Sequence, residues 1–380
     1  MSIRIKLVDV EDSYLGRNVS LNINNKSVEG FQIARRSNSS KFERVMFNKS
    51  ESTAICEYSI SIDHQKLDEL ASNNESYKNY IKDKFPRIKS NNNINMIVFQ
   101  VDETGGYLTD GDIETLADLL LVQGNDIIVP PFIRTAKGAF DADRYIHMTS
   151  VLMDCLGSGC NIACSLPEQA SKKDILRIMG VMDTSNQVFV KDFCGNKVMS
   201  EVEGMQLRTM LRQIRSIEKE HSEGSFIYAF DSRPSPKNSS NKDFVEGQIA
   251  PAICINAVGP KRKYERLPLN VITKMKESSP YDGQRVFNTD DYRFYSISSG
   301  MITSRYSDFI TDNYKCDYRS LNANDLRNSV FAFNHHERVV DVHNVDKAIT
   351  HNELEGLLSN KKTPDQTVRY LKKVSKDVNS

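Results

Sequence analysis

Two rhythms of apolar and polar positions divide the chain. Over residues 1–60 apolar side chains alternate with polar ones, as in "IRIKLVDV" and "NVSLNIN", with Asn24 and Asn25 at a turn between strands. "VEGFQIARR", "FERVMFNK" and "AICEYSISID" continue this β-rich region. Residues 64–85 carry a helical excursion that is interrupted at "SNNES" and stopped by Pro86. The polar run "KSNNN" at 89–93 marks a boundary, which predicts an N-terminal region of residues 1–93.

A second rhythm starts at Ile94. Short apolar runs, "INMIVFQVD", "DIIVPPF", "NIACSLPE", "QVFVKDF", "SFIYAFDSRP" and "APAICINAVGP", alternate with helical stretches. "SKKDILRIMGVMD" has Ser171 at its N-cap and Asp174 three residues later, the spacing of a capping box. Strands apolar on both faces, separated by helices, predict βαβ units and parallel pairing. Six such strands lie between Ile94 and Val258, and "YRFYSISSG" (292–300) and "SVFAFNHHE" (329–337) would make eight. Eight would close a TIM-like (β/α)8 barrel over residues 94–345, followed by a C-terminal helical extension at 346–380 with a helix start at Thr363, Pro364 and Gln366. The alternative is an open doubly wound parallel sheet. No G-x-G-x-x-G follows the first strand to mark a dinucleotide-binding version.

Composition narrows this only a little. A chain of 380 residues with 39% hydrophobic residues can build a large core. Fifty basic residues balance fifty acidic ones, so binding to nucleic acid would need a local patch. The seven cysteines are irregularly spaced, and "CLGSGCNIAC" matches neither zinc-ribbon nor cluster spacing. With no opening apolar run and no membrane-length apolar stretch, the expectation is reduced thiols, a cytoplasmic location and no membrane partner.

In parallel α/β folds chemistry gathers beyond the carboxyl ends of the strands. That rule selects Asp102, Lys191, Asp192 and Asp231 as candidate catalytic residues, and Arg134, Glu168, Arg233, Asn256, Lys261 and Arg262 as candidate substrate-binding residues. A desolvated Lys191 could serve as a Schiff-base nucleophile or general base. Asp192 would point to the other side of the same strand. Asp231 suits a base, nucleophile or metal ligand, and Arg233 offers a planar fork for phosphate or carboxylate. "GPKRKYERL" (259–267) sets Lys261, Arg262, Lys263 and Arg266 around Tyr264. Four of the seven histidines, His335, His336, His343 and His351, fall near Glu337 and Asp341; on a strand Asp341 and His343 would form a D-x-H pair. No standard motif names a metal or cofactor.

The fragment "FVKDFCG" resembles the lysine strand of Schiff-base aldolases. It also resembles the K-D-x-x-G turn of carbon–carbon lyases related to hydroxymethylglutaryl lyase, which implies an H-x-H metal pair on a later strand that "AICINAVGP" lacks. The expected function is therefore a barrel enzyme, a lyase or transferase, acting on a small anionic substrate by lysine and carboxylate chemistry. One alternative is a nucleic-acid-modifying barrel of transglycosylase type, holding RNA through "ARRSNSSKFER" and "GPKRKYER"; the chain lacks that family's glycine-rich loop and zinc motif. The other is a non-catalytic binding or assembly protein, with an oligomer as one outcome.

Overall fold

The computed structural model describes all residues except 1–2, 38–52, 86–87, 89–91, 104–105, 135–139, 158, 183–186, 197, 200, 222, 233–243, 261–283 and 298–299. It is a mixed α/β fold with parallel sheets and, among the described residues, ten helices. None of these helices is long and apolar enough to cross a membrane.

The chain opens with an antiparallel sheet of β1 (Ile3–Val10), β2 (Arg17–Ile23) and β3 (Lys26–Glu29). The next strands are β4 (Gln32–Ile33), β5 (Arg35–Arg36), β6 (Ile55–Asp63), β7 (Ile94–Asp102), β8 (Ile127–Arg134), β9 (Cys164–Leu166), β10 (Val188–Asp192), β11 (Phe226–Phe230) and β12 (Ala257–Val258). They form two parallel sheets, in the orders β5-β6-β7-β8 and β4-β12-β11-β10-β9. Only Ala34 separates β4 from β5, and its N–H donates to Val258 O at 3.0 Å. Beyond the other edges, Ile128 N donates to Asn161 O and Ala163 N to Ile128 O, both at 2.8 Å.

Helices α1 (His64–Ser72), α2 (Asn74–Lys84), α3 (Asp110–Leu120), α4 (Ala142–Leu156), α5 (Lys172–Val181) and α6 (Glu201–His221) connect the parallel strands. The break at "SNNES" is real: Asn73 ends α1 and caps α2 by accepting from Glu75 N and Ser76 N. Ser171 and Asp174 form the expected capping box on α5. Strand periodicity then sorts the side chains. Ile97, Phe99, Phe189 and Phe193 join the helix-facing core with Leu116, Ile175 and Leu207. Val98, Val129, Val190, Tyr228 and Phe230 meet on the other side, between the two sheets. Tyr228 donates its hydroxyl to Glu57 across this inner core at 2.5 Å.

The antiparallel sheet covers the amino ends of the parallel strands. Ile5, Val19, Leu21 and Val28 share the inner cluster with Ile55, Ile94, Ile127 and Phe226, the first residues of their strands. Lys26 pairs with Asp126 at 2.6 Å, just before β8, and Arg17 donates to Ser225 O at 2.9 Å, just before β11.

Two expected strands are not parallel strands. Residues 292–300 contribute β14 (Arg293–Ser296) to an antiparallel hairpin with β13 (Arg285–Asn288), and α7 (Gly300–Tyr314) follows. Residues 329–337 lie inside α8 (Ala323–Thr350). Asn322 caps that helix by accepting from Asn324 N and Asp325 N, and neither Gly nor Pro interrupts the 28 residues. Its buried positions Leu326, Ser329, Val330 and Phe333 follow a helical period, which a four-residue apolar run does not reveal. Helices α9 (Leu354–Asn360) and α10 (Asp365–Asn379) close the chain, with Pro364 rather than Thr363 at the N-cap of α10.

Candidate functional site

The carboxyl ends of the parallel strands bring several of the expected residues together. Asp63, Asp102 and Arg134 stand in register on β6, β7 and β8. Asp63 is used locally, since Oδ1 accepts from Lys66 N at 2.8 Å and caps α1. Asp102 is exposed at the carboxyl end of β7. Arg134 Nη1 meets Asp192 Oδ2 at 2.6 Å, joining the end of one sheet to the end of the other. Asp192 is fully buried, and Oδ1 also accepts from Cys194 N at 2.9 Å.

The local electrostatics bind these groups into one cluster. Burial alone would lower the Arg134 pKa; Asp192, with Cys194 and Asp231 nearby, reverses this and pushes it up. Burial pushes the Cys194 thiol up; Arg134 opposes this, while Asp192, Glu168 and Asp231 add to it. Cys194 is therefore held as a neutral thiol. Asp231 is buried and sits at φ 48°, a left-handed conformation that non-glycine residues seldom adopt. Glu168 is half-buried near Asn196, whose amide lies 3.5 Å from its carboxylate.

Beneath this cluster the inner core turns aromatic. Phe132 and Phe230 stack at 5.3 Å between ring centroids. Gln100 is in register with Phe132 and is 3% exposed. Its Nε2 has no protein acceptor among the described residues, and neither does the buried Nη2 of Arg134. Two buried donors at one strand-end cluster call for an acceptor-rich partner, because a buried donor without one costs ~1–3 kcal/mol.

Lys191 lies elsewhere. Its strand neighbours Phe189 and Phe193 belong to the helix-facing core, and Lys191 follows them to that side. The side chain is fully buried, and Nζ donates to Pro167 O at 3.1 Å and to Asp192 O at 3.0 Å. Asn256 is also remote from the cluster. It precedes β12 at its amino end, where Oδ1 accepts from Ile227 N at 2.9 Å. Arg233, Lys261 and Arg262 lie outside the described residues, as does most of both basic stretches.

His335, His336 and His343 sit on helix α8 and His351 is its C-cap, so the D-x-H spacing no longer places Asp341 and His343 on one face. Asp341 is buried and lies 3.7 Å from Lys361 Nζ, whereas His343 is exposed. Among the described residues the one group with metal-like geometry is His64, Asp68 and Asp112. Asp112 there already accepts from Thr109 N at 2.7 Å, completing the capping box whose N-cap is Thr109 at the start of α3, and lies 2.8 Å from His64 Nδ1. Cys164 is a buried apolar residue of β9, its thiol pushed up to about 12 by burial.

Gln100 was readable as the one long polar side chain inside "INMIVFQVD", but nothing in that strand says which layer it reaches. Compared with protein-family models and with curated proteins, the chain matches none of either.

Proposed function

We propose that the two parallel sheets close into one eight-stranded TIM-like (β/α) barrel, and that the protein is an enzyme acting on a small anionic molecule at the carboxyl-end mouth. The closure reading is supported by the shared segment of β4 and β5 at one junction and by the Ile128, Asn161 and Ala163 hydrogen bonds at the other. On this reading β4 and β5 count as the first strand and β6 as the second, so the barrel draws on residues before Ile94 as well as after it.

The observation that carries the functional reading is the Arg134–Asp192 ion pair set over the Phe132–Phe230 stack, with donors on Arg134 and Gln100 that meet no acceptor among the described residues. Arg134 and Gln100 would hold the oxygens of the substrate. Asp102, exposed at the rim, is suited to proton transfer; Asp192 and Asp231 shape the field around the bound group. The carbonyl caps on Lys191 favour carboxylate acid–base chemistry over a Schiff base.

A thermal-shift screen with small phosphate esters and carboxylates tests this. A ligand at a hundred times its Kd adds about 2.7 kcal/mol to stability. At least one compound should raise the Tm of the wild type by some degrees, and Arg134→Met should abolish that rise while keeping its circular dichroism. A flat screen for the wild type, or a Tm rise unchanged in Arg134→Met, sinks the reading.

A further inference from the structure

The inner row of β6 differs from those of other parallel strands. On β10 and β11 the side chains between the two sheets are apolar up to Val190 and Phe230. On β6, Tyr58, Ile60 and Ile62 turn to the helix-facing core. The alternation in "AICEYSISID" therefore sends Glu57, Ser59 and Ser61 to the side between the sheets. Glu57 shows this directly, since it accepts from the Tyr228 hydroxyl of the other sheet. The row opens toward its carboxyl end: Glu57 is 3% exposed, Ser59 is half-buried and Ser61 is exposed. Ser61 stands in register with Gln100, and Gln100 with Phe132 on the next strand. The Tyr228–Glu57 bond thus lies at the foot of the row, the Phe132–Phe230 stack on the far side of Gln100, and Arg134 at the rim. The Oγ of Ser59 is buried. Like Gln100 Nε2 and Arg134 Nη2, it has no hydrogen-bond partner among the described residues.

We infer that the mouth takes a hydroxylated anion, a sugar phosphate or a sugar acid, with its acid group on Arg134 and its hydroxyls along Gln100 and Ser59. The guanidinium fork suits an oxyanion, which accepts charge-assisted hydrogen bonds. A serine hydroxyl both donates and accepts, and a carboxamide nitrogen donates. Ligand hydroxyls answer both groups, because each can donate and accept in turn. An alkyl chain answers neither, and it would leave two buried polar groups unmet. The Phe132–Phe230 stack completes the fit. It offers apolar surface to the C–H groups of a sugar while the polar row takes its hydroxyls. The place of the acid group rests on the reading of the mouth as an anion site; the preference for hydroxyls rests on Ser59 and Gln100.

The test is calorimetric titration of the intact protein with matched probes that differ in their hydroxyls. One pair is ribose 5-phosphate and pentyl phosphate; the other is gluconate and hexanoate. In at least one pair the hydroxylated probe should bind at least about tenfold tighter, because the plain probe leaves buried groups unmet. The tighter pair tells a phosphate from a carboxylate. Ser59→Ala and Gln100→Leu should each shrink that preference while leaving the plain probe unchanged, and Ser59→Ala serves if Gln100→Leu does not fold. Arg134→Met should weaken both probes of the pair. Equal binding within each pair overturns the inference, as does a preference that survives in Ser59→Ala and Gln100→Leu. If Arg134→Met still weakens the probes in those cases, the mouth reading stands. A preference lost in Ser59→Ala, with binding unchanged in Arg134→Met, upholds the hydroxyl site and fails the anion reading of the mouth. No binding of any probe overturns both.

Discussion

At Asp346 the packing decides a protonation state. Its carboxylate accepts from Phe31 N at 2.9 Å, and a Cβ on Gly30 would stand 2.3 Å from Oδ2, so the group is wedged against a backbone turn at φ +69°. Burial pushes its pKa up to about 7, the Phe31 N–H opposes this, and Glu29 adds to it. The unfolded chain releases the same proton near ~4. Between those values the native state holds the extra proton, so stability is greatest at the acid end of the window and falls as pH rises through it. A tenfold difference in proton affinity between the folded and unfolded chain is worth about 1.4 kcal/mol, which makes the loss on the order of a few kcal/mol. Urea unfolding from about pH 5 to about pH 8 should show this decline in the wild type and a flatter profile in Asp346→Asn. Identical slopes for the two proteins would remove Asp346 as the cause.

Strand β10 shows how a period of two assigns roles that residue type alone does not. Lys191 and Asp192 are neighbours in sequence, yet one enters the helix-facing core and the other turns to the opposite side of the strand, where it meets Arg134. The expected alternation was legible; which face was inward was not, because both faces of the strand are covered by apolar partners. The capping box at Ser171 and the break at Asn73 were legible for a related reason, since caps are satisfied within a few residues of sequence. The strand expected at 329–337 failed because Val330, Phe331, Ala332 and Phe333 form a run too short to show its period, and the cap at Asn322 lies outside it. If Lys191 is a structural lysine, Lys191→Met should cost about 1–3 kcal/mol through its two orphaned carbonyls. Borohydride treatment of the wild type with keto acids or sugar phosphates should leave its mass unchanged. A reduced adduct mapped to Lys191 would restore the Schiff-base mechanism.

For the whole molecule the question is whether the two parallel sheets act as one body. The inner cluster already draws on both, with the Tyr228–Glu57 hydrogen bond running between them and β1–β3 lying across the amino ends. Junctions at Ala34 and Ala163 would leave the set of parallel strands with no free edge, and a set without edges has no place to fray. Amide exchange separates this from an open sheet, because local opening and global unfolding expose amides at different free energies. In a closed barrel the N–H groups of Ala34 and Ala163 exchange only by global unfolding, at the same limiting free energy as Val98 and Phe99 in the middle of β7. In an open doubly wound sheet they are edge amides, and they exchange orders of magnitude faster than those of β7. The two junctions can be read separately, so slow exchange at Ala34 with fast exchange at Ala163 would place the opening between β8 and β9. That result would also weaken the functional reading, because the Arg134–Asp192 ion pair reaches across that junction and needs it shut.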